Sequence, residues 1–149
     1  MNEVAMTGLA LARFVREAGV QLALLLEADG RVIAQHGFVR RIDVATASTL
    51  AAAIGATTRE LGLFLGDGTL GPIHHGGGDV QLFLAPLPER APARLLLTVF
   101  DARTSLGLVR VFWEDLRNAL RREATAQAPS DEDFERELQE SLTALLGGL

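Results

Sequence analysis

Two short apolar segments separated by Asp29-Gly30 constrain the fold of this chain more than any other feature. Residues 20–27 are almost continuously apolar, and residues 31–37 follow the dipeptide. Asp-Gly between such segments is typical of a β-hairpin turn, because glycine readily adopts the positive φ that the turn requires. The sequence therefore predicts an antiparallel pair of strands on which the rest of the chain must pack.

Similar signals predict three further strands and four helices. The strands are expected at residues 72–75, 79–87 and 94–101, and the helices at 3–18, at 43–65, from Thr104 or Ser105 to residue 125, and at 130–146. The order is α-β-β-α-β-β-β-α with a further helix in a C-terminal tail. Hairpins connected in this order predict an α+β fold, with an antiparallel five-stranded sheet and helices on both of its faces.

Acidic residues are concentrated at the C-terminal end of the chain. Residues 130–149 contain six acidic residues and one arginine, a net charge of −5 that equals the charge of the whole chain. Residues 1–129 therefore have no net charge. A domain without an excess of positive charge does not favour binding to nucleic acid. We predict a domain at 1–125, a linker at 126–130 and an acidic amphipathic tail helix at 131–149.

Length and composition exclude several classes of protein. A chain of 149 residues suits one folded domain, and without cysteine it forms no disulfide. Its apolar segments are much shorter than the roughly 20 residues that span a membrane, and the N-terminus does not resemble a signal peptide. The sequence predicts a soluble, cytoplasmic protein that is not inserted in a membrane.

Two motifs suggest ligands that their context does not support. Gly66-x-Gly68-x-x-Gly71 has the spacing of a dinucleotide-binding motif, but it follows a helix, whereas such motifs join a strand to a helix. His74 and His75 are adjacent on a predicted strand and should point to opposite faces, which does not suit chelation of one metal ion. We predict no metal, no cofactor and no catalytic residue.

The helix at 43–65 has two unlike sides. Large apolar residues form a stripe that we expect to face the sheet: Leu50, Ile54, Leu61, Phe64 and Leu65. The opposite side is small and weakly charged: Ala45, Ser48, Thr49, Ala52, Ala56, Arg59, Glu60 and Leu63. Small side chains allow another helix to approach closely, so this side is predicted to be a partner or dimer surface. The alternative is an alanine-rich helix that is merely exposed.

The tail helix has one apolar stripe on an otherwise acidic surface, formed by Phe134, Leu138, Leu142, Leu145 and Leu146. Such a stripe suits docking into an apolar groove, either on a partner or on the protein's own domain. We favour the partner. Arginines elsewhere are candidates for a cation inserted beside a transferring phosphate, or for ordinary ion pairs: Arg40, Arg41, Arg103 and Arg110.

Three stretches resemble the Roadblock/dynein light chain family. Residues 24–34 (LLLEADGRVIA) are similar to its first hairpin, and residues 73–76 (IHHG) resemble its third strand. Residues 99–110 (VFDARTSLGLVR) are similar to the strand-to-helix junction of the bacterial members that regulate a small Ras-like GTPase. The resemblance covers roughly residues 4–125. The chain differs from these members at residues 51–54 (AAAI), where they often have an Ala-Gly-Asn-type stretch.

The resemblance implies a homodimer in which the second helices pair antiparallel and the third strands join the two sheets. It implies a GTP-bound small Ras-like GTPase as partner, whose hydrolysis is stimulated by positioning the GTPase's own catalytic groups. The tail would also contact the GTPase. Such proteins act in cell polarity and gliding motility, at a cell pole, without a cofactor or an active site of their own. A family member that binds a partner without activating it is the alternative.

Overall fold

The computed structural model of the protein describes residues 3–66, 71–87, 93–127 and 131–147. The helices are α1 (Glu3–Ala18), α2 (Val44–Leu65), α3 (Leu106–Gln127) and α4 (Asp131–Gly147). The strands are β1 (Leu22–Leu26), β2 (Val32–Gly37), β3 (Ile73–Gly76), β4 (Gln81–Leu87) and β5 (Arg94–Phe100). This is the predicted α+β order, and it confirms the five-stranded antiparallel sheet with a C-terminal helix.

The sheet has the strand order β2-β1-β5-β4-β3, with every neighbouring pair antiparallel. The two apolar strands β1 and β5 lie near its centre, where Leu24 pairs with Leu97. The outer strand β3 is short and begins opposite Leu84. Pro86 lies in the part of β4 beyond that point, and a proline has no N–H to donate to a neighbouring strand. β2 and β3 are therefore the two edges of the sheet.

Helices cover both faces of the sheet. On one face, α1 and α3 enclose an aromatic core that includes Phe14, Phe83 and Trp113, with the Phe83 and Trp113 rings edge to face. On the other face, α2 packs against leucines of the central strands through residues that include Ala51. The alternation of side chains along β1 and β5 supplies both cores, because successive residues of a strand point to opposite faces.

The junction between β5 and α3 also holds the end of α1. The Thr104 hydroxyl donates a hydrogen bond of 2.6 Å to the carbonyl of Ala18, the last residue of α1. The Ser105 hydroxyl oxygen accepts a hydrogen bond of 3.2 Å from the Leu108 N–H. Ser105 therefore caps α3, and Thr104 joins two elements that are distant in the sequence.

The C-terminal region differs from its predicted boundaries in one respect. α3 continues to Gln127, so Ala126 and Gln127, which we assigned to the linker, belong to that helix. Residues 128–130, including the predicted start of the tail helix, lie outside the described residues. Among the helices that the structure describes, none is long and apolar enough to cross a membrane.

Candidate functional site

α2 packs on the sheet with a third side, made of small residues, that shares only Ser48 and Ala52 with the predicted partner surface. Its buried residues are Ser48, Ala51, Ala52, Gly55 and Gly62. The cause is a very close approach of α2 to β5, since a Cβ atom at Gly55 would lie 2.7 Å from Leu95 Cδ1. Only small residues fit in that space, so the expectation that the large apolar stripe faces the sheet is wrong.

The large apolar stripe of α2 is consequently exposed. The exposed fractions are 58% for Leu50, 36% for Ile54, 49% for Leu61, 85% for Phe64 and 62% for Leu65. These residues recur on one side of the helix at the spacing of successive turns. A row of large apolar side chains in water is typical of an interaction surface. We call this row the α2 stripe.

The predicted partner surface is divided by the same orientation. Ser48 and Ala52 are buried against the sheet and are not accessible to a partner. Six of the predicted residues are exposed: Ala45, Thr49, Ala56, Arg59, Glu60 and Leu63. They lie on the flank of α2 between its buried side and its outward side. We call these six residues the α2 flank.

The hydroxyl groups of α2 bond to the helix itself. The Thr49 and Thr57 hydroxyls donate hydrogen bonds of 2.9 and 2.8 Å to the carbonyls of Ala45 and Ala53, each four residues earlier. Removing water from a hydroxyl costs less free energy when that hydroxyl already donates to a carbonyl than when it has no acceptor. The outward side of α2 is therefore less polar than its threonine content suggests.

Both ends of α2 are defined by caps. The Asp43 carboxylate accepts a hydrogen bond of 3.3 Å from the Thr46 N–H and another from the Thr46 hydroxyl. These bonds lower the pKa of Asp43, because they stabilise its charged form, and the bond from the hydroxyl has the larger effect. At the other end, Gly66 is left-handed and its N–H donates to carbonyls of the last turn. This confirms the predicted helix end at Gly66, while Gly68 lies outside the described residues.

The edge strand β3 carries the two adjacent histidines on opposite faces of the sheet. His74 Nε2 lies 2.8 Å from Gln81 Oε1, and the His74 ring stacks on Phe100 with 6.0 Å between centroids. His75 is exposed. No group of three or more potential metal ligands occurs in the part of the chain that the structure describes. These contacts give His74 a structural role at the edge of the sheet.

Arg103, the arginine of the junction that resembles GTPase regulators, is held by Asp101. The Arg103 Nε and Nη2 atoms each lie 3.0 Å from Asp101 Oδ2, and the Arg103 N–H donates to Asp101 Oδ1. The hydrogen bond from the Arg103 N–H is the main reason why the pKa of Asp101 is lowered. The pair stiffens the β5–α3 turn. Sequence reasoning identified this stretch by resemblance and did not find the Asp101–Arg103 contact or the bond from Thr104 to Ala18.

The tail helix α4 has its apolar stripe in solvent. Leu138 and Leu142 are half exposed, and Leu145 and Leu146 are more so. The side chain of Phe134, the first predicted residue of this stripe, lies outside the described residues. The structure thus exposes one apolar row on α2 and another on α4.

The comparisons with known proteins agree with this architecture. The family model for the Roadblock/LC7 domain matches residues 6–99. MglB from Myxococcus xanthus superposes with a TM-score of 0.77 at 22% identity, covering 88% of this chain and 96% of that one. The gliding protein MglB from Thermus thermophilus superposes with a TM-score of 0.70 at 27% identity, covering 82% and 91%. An MglB structure with a tetrameric arrangement gives 0.72 at 27% identity, covering 82% and 90%.

No curated protein sequence matches the chain. The matched region nevertheless runs from α1 into β5 and includes both sheet edges and α2. The chain therefore belongs to the Roadblock/LC7 family.

Proposed function

We propose that the protein forms a homodimer through the α2 stripe and the edge strand β3. The observation that carries this proposal is the exposure of five large apolar side chains along one side of α2. Burying such a side chain completely contributes about 1.5–3 kcal/mol, so covering the stripe would repay the loss of freedom on association. The edge strand β3 has one unpaired side. It would pair with β3 of a second chain, because exposed strand edges readily pair.

We further propose that the dimer binds a small Ras-like GTPase of the MglA type in its GTP-bound form and stimulates GTP hydrolysis. Support comes from the likeness to MglB structures at 27% identity and from the junction at residues 99–110. Phosphoryl transfer depends mainly on positioning and electrostatic stabilisation, so a regulator can accelerate it by holding the GTPase's own groups in place.

The α2 flank is the surface that we propose for the GTPase. It lies on the side of α2 away from the α2 stripe and stays exposed when two stripes pair, and it presents small residues together with Arg59, Glu60 and Leu63. Small residues let the partner approach closely, and the two charges would set its orientation. By the same likeness, the complex would act in cell polarity and gliding motility, at a cell pole and in the cytoplasm.

Turnover of GTP by the cognate GTPase tests this function directly. The test uses a small Ras-like GTPase of the MglA type from the same organism, and its hydrolysis rate is measured with and without saturating protein. We expect a clear acceleration that is reduced by Leu63→Arg, because a long cation on the α2 flank would obstruct the partner. Binding without acceleration would contradict GTPase activation and identify the protein as a Roadblock adaptor.

We also propose that the stripe of α4 (Phe134, Leu138, Leu142, Leu145 and Leu146) contacts the GTPase. Leu142→Asp places a charge in the middle of this stripe and should weaken the complex about tenfold or more, the cost of one buried apolar contact. Thr143→Asp adds the same charge on another side of α4 and serves as the matched control. Equal affinities for both variants would show that the stripe does not contact the GTPase.

A further inference from the structure

A groove between α1 and α3 has an apolar floor on the side of the molecule opposite to α2. It encloses about 680 Å³, and its floor is formed by Met6, Leu9, Ala10, Phe112, Leu116 and Ala119. Charged residues, among them Arg13, Glu17 and Asp115, lie at its rim. Arg13 forms an ion pair with Glu17. The pKa of Arg13 is raised mainly by Glu17 and further by Asp115. Neither the dimer surface nor the α2 flank proposed above uses this groove.

We propose that, in the absence of the GTPase, α4 of the same chain folds back into the α1/α3 groove and covers it with its leucine stripe. In the structure the leucines of α4 are exposed and available for such a contact. Only three residues separate the end of α3 at Gln127 from the start of α4 at Asp131. Connections of about two to five residues are typical of antiparallel helix pairs, so the chain length permits this return.

The spacing of apolar residues agrees with an antiparallel return. Both helices rise about 1.5 Å per residue, so an antiparallel pair in which Gln127 lies level with Asp131 places Leu142 beside Leu116 and Leu138 near Ala119. Leu145 then reaches the level of Phe112. The leucines of α4 therefore extend over the same length as the floor of the groove.

In this arrangement the uncharged end of α4 lies over the end of the groove that carries Asp115 and Glu17. Five of the six acidic residues of α4 lie between residues 131 and 137, where Glu137 would come near Arg122, and Glu135 would be level with Glu123, which also lines the groove. Residues 141–147 carry no charge, and they would lie where the groove has Asp115 and Glu17 at its rim. An acidic residue there would be repelled, so the uncharged end of α4 suits this end of the groove.

Disulfide trapping in the full chain tests the proposal, because the natural sequence has no cysteine. In the docked arrangement Ser141 of α4 lies beside Asn118 at the rim of the groove. The variant Asn118→Cys/Ser141→Cys should form an intramolecular disulfide at a rate that does not change with protein concentration, because the connected helix has a millimolar effective concentration. Adding Leu142→Asp should remove most of this product, whereas Thr143→Asp should not.

The matched control pair is Asn118→Cys/Thr143→Cys, whose second cysteine lies two residues further on and on the other side of α4. It should form little intramolecular disulfide. Equal rates for the two pairs would mean that α4 moves without docking, and disulfides only between chains would mean that a second copy fills the groove. Either result would overturn the proposal. No GTPase is present in this experiment, so its outcome is independent of the proposed function.

Discussion

At the scale of single residues, glycine is required where the backbone comes closest to another strand. Gly37 ends β2 with φ of +87°, and a Cβ atom there would collide with the backbone oxygen of Gln21. Gly66 has a similar φ of +78°, but a Cβ atom there would meet nothing within 4 Å. The two positions therefore separate the cost of an unfavourable φ from the cost of a collision.

We expect Gly37→Ala to lower the free energy of unfolding by about 3 kcal/mol or more, because the alanine combines strain with displacement of β1 from β2. Gly66→Ala should cost only about 1 kcal/mol, the strain of the left-handed conformation alone. Urea unfolding of both variants measures the difference. Similar losses at the two positions would contradict the close contact between Gly37 and Gln21.

At the scale of elements, α2 depends on one carboxylate at its N-terminus. The helix has no acidic residue in its first turn, so the Asp43 cap is the negative group that stabilises its free N–H groups there. The pKa of Asp43 is lowered in the folded protein by its bonds from Thr46. A group with a lowered pKa contributes stability above its unfolded pKa, and this contribution is lost as pH falls through the folded pKa.

The free energy of unfolding should therefore decrease as pH falls below about 4, the ordinary range of an aspartic acid. Asp43→Asn retains a good N-cap and cannot titrate, so the difference in stability between wild type and this variant should shrink toward low pH. Denaturant unfolding from about pH 6 to about pH 2.5 measures it. A difference that stays constant over this range would exclude a stabilising charge at Asp43.

At the scale of the whole molecule, the apolar surface is distributed over two sides. α2 exposes its stripe on one face of the sheet, and the α1/α3 groove opens on the other. A monomer would leave the α2 stripe in water. Because this stripe is extensive and the sheet also has an unpaired edge at β3, it is the surface that we expect a second copy to cover.

Sedimentation at tens of micromolar should show a dimer, consistent with a micromolar or tighter constant for an interface of this kind. Leu61→Arg places a cation within the α2 stripe and should convert the dimer to a folded monomer. Leu63→Arg adds the same group on the α2 flank and should leave the dimer intact. A wild-type monomer, or equal behaviour of the two variants, would contradict the α2 interface.

The sequence by itself determined the order of elements, the hairpin at Asp29-Gly30 and the end of α2 at Gly66, because these depend on local backbone preferences. It also determined which residues of α2 share a side. Only the tertiary structure decided which side meets the sheet. Hydrophobicity alone predicts that Leu50 and Leu61 face the sheet, but the close approach of α2 to β5 at Gly55 leaves space only for small residues. The distance between α2 and β5 depends on the packing of Leu95, which is far from α2 in the sequence.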